Sequence, residues 1–347
     1  MGIQRTYWVT GAAGFIGSRF VESCHKKGIA VVSIDASDHF KERTEHSQIH
    51  FGEVIDRDLF YQRLQDVRKA DAIIHLGAST DTMEFRRDYL NQMNFECSNA
   101  LWKFSVNAGI PFVYSSSAAT YGAGELGYSD DENLLPRLKP LNPYGQSKHD
   151  FDLWLLEQER EGRSPPSWAG FKFFNVYGYG ERHKGKMSSV VLQAFDQVCK
   201  NGFVRLFKSH LPDVSHGFQK RDFIFIDDVV SALHFAIEKP IRRGIFNLGS
   251  GKARTFLDLA NAVFESCGKK GQARTIQFID TPIQIRDKYQ YFTEAKMEKL
   301  RSVGFHNEFT PLEKGVAAYL NELKDPVAFG LFDCVGFPVF EEGREER

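Results

Sequence analysis

Apolar and polar positions alternate along this chain in blocks, with short, nearly continuous apolar runs separated for the most part by longer amphipathic stretches. The runs Tyr7 to Thr10, Ala30 to Ile34, Ala72 to Leu76, Phe112 to Ser115 and Phe171 to Val176 have the length of strands. Runs nearly continuous in apolar character suit strands covered on both faces, and the segments between them are long enough for crossover helices. The pattern predicts an α/β fold built on a doubly wound parallel sheet. After Gly178 the rhythm breaks. A Gly/Lys-rich loop is followed by a helical stretch from Ser188 to Lys200, a strand from Val204 to Phe207 and an irregular segment from Lys208 to Gln219. Alternation then resumes with Asp222 to Ile226, the helix Val229 to Glu238 and the strand Gly244 to Leu248. The expected division is a first domain over 1–175 with returning segments at about 222–250, a smaller interleaved α/β domain mainly over 176–330, and a frayed tail at 331–347.

The first turn sharpens this division. Gly11-Ala12-Ala13-Gly14-Phe15-Ile16-Gly17 follows a strand and opens a helix, the context in which spaced glycines let backbone approach a pyrophosphate at a helix N-terminus. The spacing is G-x-x-G-x-x-G. It makes 1–175 a dinucleotide-binding domain of Rossmann type and leaves 176–330 to bind substrate. Asp35 ends the second strand 18 residues after Gly17, where a carboxylate can accept hydrogen bonds from a ribose. Lys41 and Arg43 are near enough in sequence to meet a 2′-phosphate, so these residues leave NAD and NADP both open. Backbone just past the third predicted strand, at Leu76, Gly77 and Ala78, is expected to pass the cofactor, with Val176 contributing from the end of the fifth. His75, within an apolar strand, reads as a satisfied core histidine.

Composition narrows the class of partner. Across 347 residues, Lys plus Arg (44) and Asp plus Glu (45) nearly cancel, so no whole-molecule field draws the chain to nucleic acid or a membrane. A small-molecule partner fits better. The five cysteines are scattered without metal-ligand spacing, which suits a reducing compartment. There is no signal-peptide pattern at the start and no apolar run of spanning length, so a cytoplasmic location is expected. His210 and His216 flank Asp213, and a polar loop is the better reading of that trio than a metal site; no metal is expected.

The reacting centre is read at Asn142-Pro143-Tyr144-Gly145-Gln146-Ser147-Lys148. Pro143 suits the first turn of a helix, which puts Tyr144 and Lys148 one turn apart on one face. Alone, such a pair fits a solvated face. With the glycine turn and the run Ser115-Ser116-Ser117 upstream, it describes a phenol made basic by neighbouring cations, with Ser117, at the end of the fourth predicted strand, able to bond the same substrate hydroxyl.

Through Gly11 to Gly17, Ser117 and Tyr144 to Lys148, the chain resembles the extended short-chain dehydrogenase/reductase family of nucleotide-sugar epimerases over nearly its whole length. The likeness is sharper to its ADP-heptose 6-epimerase branch. Ser116 to Gly122, Phe174 to Gly178 leading to His183-Lys184-Gly185, Lys220 to Phe223, Gly244 to Gly249 and Tyr289 to Thr293 carry that likeness. The resemblance implies NADP-dependent inversion of C6 of an ADP-heptose through a transient ketone, in lipopolysaccharide precursor synthesis, by a homo-oligomer, commonly a pentamer. It makes Tyr144 one catalytic acid/base and Lys184 the second, supported by Lys148 and Ser117. Asn175, Phe207, Arg221 and Tyr289 match positions that contact the ADP-sugar, where an Arg fork suits a diphosphate and aromatic rings offer stacking surfaces. Lys186 and Gln193 stand where the branch has a serine and a histidine against the substrate, and Lys208-Ser209-His210 departs from it too, so substrate identity is the open question.

Two other functions share these features. A UDP-hexose 4-epimerase would need Tyr144 and not Lys184, and a non-catalytic NADP-binding sensor would keep the fold alone. A sugar dehydratase fits poorly, because Ala118-Ala119-Thr120-Tyr121 after Ser117 supplies no carboxylate pair for elimination.

Overall fold

A computed structural model describes residues 5–64, 70–268, 275–286 and 289–324, and the expected tail at 331–347 lies outside the described residues. In chain order the strands are β1 (Thr6–Thr10), β2 (Ala30–Asp35), β3 (Glu53–Asp56), β4 (Ala72–His75), β5 (Phe112–Ser117), β6 (Trp168–Phe173), β7 (Asn175–Tyr177), β8 (Phe203–Phe207), β9 (Lys220–Phe225), β10 (Ile245–Leu248), β11 (Ala253–Thr255) and β12 (Thr275–Ile279). Seven of them form one sheet in the order β10-β6-β5-β4-β1-β2-β3, parallel at every pairing. The order reverses direction at β1, between β4 and β2. A crevice opens at such a switch point, beyond the carboxyl ends of the strands, and the glycine turn sits there.

Two small assemblies flank this sheet. β11, β9 and β7 form a three-stranded sheet, and β12 pairs with β8 in parallel. The chain crosses from the main sheet to the small one at Phe174, so the single run expected over Phe171 to Val176 is two strands in two sheets. β3 was also absent from the sequence pattern. It is a four-residue edge strand with its first two residues exposed, and so lacks the buried run that marks the interior strands. Counting β3, Ser117 ends the fifth strand of the chain rather than the fourth.

The helices pack where the apolar stripes point. Trp102, on the helix Cys97–Ala108, meets Phe112 of β5 and Trp168 of β6 edge-on at 5.7 and 5.5 Å, contacts that add specific geometry to area burial. Phe20 of the helix Phe15–Lys26 lies 4.7 Å from the His234 ring on the helix Ile226–Glu238. No helix among the described residues is long and apolar enough to cross a membrane.

Candidate active site

The glycine turn forms because only glycine fits it. Gly11 has φ +67°, and a Cβ there would stand 2.6 Å from the Gly77 nitrogen. A Cβ on Gly17 would stand 2.0 Å from the Gly11 carbonyl oxygen. These contacts, far inside van der Waals distance, let the first helix begin against β1 and bring the Leu76–Gly77 backbone alongside. Asp35 fixes the turn from β2: its carboxylate accepts from the Ala13 N–H at 3.0 Å and the Ala36 N–H at 2.8 Å, and from His39 Nδ1 at 2.8 Å. A cavity of about 600 Å³ runs from here to the ends of β5 and β7. Gly11, Gly14, Phe15, Ile16, Gly17, Asp35, Leu76, Gly77, Ala78, Asn175 and Val176 all line it, together with Ser117, Tyr144, Lys148 and Lys184. Its length and glycine cradle fit an extended dinucleotide.

The helix Pro143–Arg160 delivers the Tyr/Lys pair. Asn142 caps it, its side chain accepting from the Gly145 N–H at 2.7 Å, and Pro143 occupies the first turn. Tyr144 and Lys148 are both buried on the face turned to β5. The Ser117 hydroxyl bonds the Tyr144 phenol, which pulls its pKa down, but burial outweighs it and holds the phenol above its ordinary value. Lys148 donates to the Ser115 carbonyl at 2.9 Å, and burial lowers its pKa to about 8 while the Asp152 charge pulls it back up. Tyr144 is thus a poor base until a nearby cation stabilises its phenolate.

Asp152 continues the spacing, one turn beyond Lys148. Fully buried, it meets the equally buried Lys172 of β6 at 2.5 Å and accepts from Tyr114 at 2.8 Å and Ser116 at 2.7 Å. Lys172 also donates to Thr120 at 2.7 Å. This satisfied network lies directly beneath the serine run and fixes β5, the helix and the Ser117–Tyr121 turn relative to one another.

Lys184 reaches the same cavity from a different segment. It rides on the short helix Arg182–Met187, with its ammonium 5.6 Å from the Phe15 ring centre. Burial lowers its pKa and the Glu181 charge partly restores it. The loop is braced on three sides. Buried Glu181 accepts from the Ser189 N–H and hydroxyl at 2.5 and 2.6 Å, closing the loop at its base. Glu45 Oε1 accepts from the His183 N–H at 2.7 Å and Nδ1 at 2.9 Å. Gln193 donates to the carbonyls of Ser188 at 2.9 Å and Lys186 at 3.3 Å.

Of the expected substrate positions, Lys186 and Gln193 are not in the cavity wall. Lys186 is exposed, and Gln193 spends its amide on the loop backbone. Phe207, Arg221 and Tyr289 form a second cluster, with the Arg221 guanidinium 5.2 Å from the Tyr289 ring centre and the Phe207 and Tyr289 rings 6.2 Å apart. Arg221 is 8 % exposed, and its one described polar contact is to the Lys220 carbonyl at 2.9 Å. Burial lowers its pKa, and the Tyr289 and Tyr128 phenols partly restore it. Arg221 alternates with Phe223, which lies opposite Asn175 and lines the cavity. The two clusters therefore share one face of β9, two residues apart.

His75 is a core histidine: it lies 2.7 Å from Thr10 Oγ1 and 2.8 Å from Ser98 Oγ, and burial lowers its pKa to about 3. In the Lys208 to Gln219 loop, His216 Nδ1 accepts from the Ser209 N–H at 3.1 Å and the His210 N–H donates to Tyr291 at 2.9 Å. Among the described residues the group able to offer three metal ligands is instead Glu45, His46 and His183. Burial lowers the pKa of both histidines, and the Arg43 charge, joined at His183 by that of Lys184, lowers it further, so positive charge already crowds a cation there.

Two basic residues of the cavity were absent from the sequence reading. His39, Arg43 and Arg57 surround Asp35 at the far end of the cavity, whereas Lys41 is exposed and outside it. Arg43 had been noted; His39 and Arg57 had not. The sheet supplies the reason, since β3 pairs with β2 so that Asp56 stands opposite Asp35, and Arg57 follows Asp56 directly. Glu45, behind the cavity wall, is the other omission.

Comparison with known proteins agrees with this geometry. Residues 7–249 match the NAD dependent epimerase/dehydratase family. Proteins named ADP-L-glycero-D-manno-heptose-6-epimerase from Fusobacterium nucleatum and Nitratidesulfovibrio vulgaris are 41% and 43% identical to this chain, over 90% of its length and 96% of theirs. The crystal structure of the Helicobacter pylori ADP-L-glycero-D-manno-heptose-6-epimerase superposes with a TM-score of 0.76 at 26% identity, covering 92% of this chain and 96% of its own.

Proposed function

The chain belongs to the NAD dependent epimerase/dehydratase family, among its ADP-L-glycero-D-manno-heptose-6-epimerases, and on that premise we propose that it interconverts ADP-D-glycero-D-manno-heptose and ADP-L-glycero-D-manno-heptose by oxidation and re-reduction at C6. The observation that carries the proposal is the convergence of Tyr144 and Lys184 on one cavity from separate segments. Inversion of a secondary alcohol needs a proton acceptor and donor for each orientation of the C6 oxygen, and two groups from two directions provide them. A nicotinamide dinucleotide, held by the Gly11–Gly17 turn, Asp35 and the Leu76–Ala78 backbone, would supply the hydride transfer.

The chain does the rest. Tyr144 takes or gives the hydroxyl proton in one orientation, with Lys148 holding charge beside it and Ser117 bonding the phenol. Lys184 does the same in the other orientation. Arg221, a buried cation with no carboxylate partner among the described residues, suits the diphosphate, with Phe207 and Tyr289 packing beside it and Asn175 facing the sugar.

We assign NADP as the cofactor. Arg43, Arg57 and His39 ring the adenosine end around Asp35, offering donors to a 2′-phosphate that a carboxylate alone would repel. Replacing both Arg43 and Arg57 by Ala is expected to reduce the preference for NADP over NAD about tenfold or more. Cofactor released by denaturing each protein, and titration with either dinucleotide, measures it.

The alkaline limb of activity belongs to Lys148. The ammonium is charged below its folded pKa of about 8 and neutral above it, so kcat/KM should fall as pH rises through about 8. Lys148→Arg, which stays charged, should lack that limb.

Incubation without added cofactor tests the reaction itself. Either C6 epimer, separated by chromatography, should approach one mixture. Conversion of UDP-hexoses in place of ADP-heptose would assign the 4-epimerase activity, and binding of NADP with no conversion would leave a sensor.

A further inference from the structure

The turn Thr44–His46 lies outside the cavity wall, yet it touches both halves of the candidate site. At one end Arg43 donates to the Ala13 carbonyl of the glycine turn. In the middle Glu45, its side chain 7 % exposed, receives two hydrogen bonds from His183, the residue before Lys184. At the other end His46 Nε2 lies 3.1 Å from the Gly180 carbonyl and 3.2 Å from Ser18 Oγ of the first helix. Tyr179 adds a bond to the Glu45 carbonyl oxygen at 3.3 Å. One turn thus joins the glycine turn, the first helix and the segment Tyr179 to His183, across 138 residues of sequence between Glu45 and His183.

We propose that Glu45 is a positioning residue for Lys184, its carboxylate gripping His183 by backbone and ring so that the ammonium is held over the cofactor end of the cavity. This rests on reading Lys184 as the second acid/base. The physical case is the double grip. A carboxylate accepting both the N–H and the Nδ1–H of one residue fixes that residue's backbone and its ring together, and bonds to an ionised acceptor are the strong kind. Burial would raise the Glu45 pKa, and the His183 bonds overcome it and bring it down to about 2, so the acceptor is ionised throughout the working range. Glu181 closes the loop on itself, whereas the bonds to Glu45, with the His46–Gly180 contact ahead of them, tie it to the glycine turn and the first helix, and those to Glu45 are the nearer to Lys184. Lys184 is four residues past Gly180, itself two past Gly178, and one before Gly185, all three glycines with positive φ, so its own backbone offers little resistance to drift.

The test is a pair of backgrounds. Glu45→Ala in the otherwise native enzyme should lower kcat by about 100-fold, the scale set by a displacement of about 1 Å at a catalytic group, with KM for the sugar and cofactor retention nearly unchanged. The same change made in Lys184→Ala enzyme should lower kcat no further, because the group it positions is gone. Glu45→Gln, which keeps an oxygen acceptor for both His183 donors, should restore most of the rate. If Glu45→Ala is fully active, or costs the same factor in both backgrounds, Glu45 does not act through Lys184 and the proposal is overturned. Should Glu45→Ala fail to fold, Glu45→Leu, which fills the volume without an acceptor, carries the same comparison. Full activity of Lys184→Ala alone would instead overturn the two-base reading, whatever the Glu45 variants do.

Discussion

Lys184→Ala should lose about a thousandfold in turnover on the ADP-heptose, and Tyr144→Phe a loss of similar size, each within the range for removing one general acid/base. The two losses differ in kind. In Tyr144→Phe the base for one orientation of the C6 hydroxyl is gone and Lys184 remains for the other, so one epimer should still reduce the bound cofactor in a single half-reaction. In Lys184→Ala the other epimer should do so. Absorbance of reduced nicotinamide, recorded with each epimer and each variant, reads this crossed pattern. A UDP-hexose 4-epimerase would be indifferent to Lys184→Ala, and a single-base mechanism would give no crossed pattern.

Lys172→Met should destabilise the fold by about 3–5 kcal/mol, because it strands the Asp152 carboxylate in a fully buried site. Asp152→Leu alone should cost a similar amount by stranding the Lys172 ammonium. Combined, the two changes should cost less than their sum, since an apolar pair carries no buried charge, although Tyr114, Ser116 and Thr120 each lose a partner. Midpoints of chemical unfolding measure all three. A milder change links this network to the chemistry. Asp152→Asn removes the negative charge that supports the Lys148 ammonium, so the alkaline limb of activity should move below pH 8. An unmoved limb would show that Lys148 does not set it.

Much of the fold was legible because the main sheet is buried on both faces, and buried strands such as Tyr7 to Thr10 and Ala72 to Leu76 announce themselves by apolar runs. The failures have the complementary cause. Glu53–Asp56 is an edge strand with half its residues exposed, and missing it concealed Arg57, whose place beside Asp35 follows from β2–β3 register. The crossing between sheets at Phe174 falls in the mostly apolar run Phe171 to Val176, which has no Gly or Pro to mark it. Within the site, Tyr144 and Lys148 were found by helical spacing, and the same spacing continued one turn gives Asp152. The lone lysine in the apolar strand Trp168–Phe173 was its signal on the other side. Phe207, Arg221 and Tyr289, far apart in sequence, do meet in space. Lys186 does not meet the cavity, because the backbone turn at Gly185 sends it outward. Glu45 had no local signal. Its meaning comes from His183, and only the folded chain brings them together.

The central claim is that hydride leaves C6 and returns to the same carbon within one site. Substrate carrying deuterium at C6, converted in ordinary water, tests it most directly. Hydride held on a cofactor carbon does not exchange with solvent, so the product epimer should keep its deuterium at C6. Replacement of that deuterium by solvent hydrogen during epimerisation would mean inversion by proton abstraction from carbon, and would contradict the account.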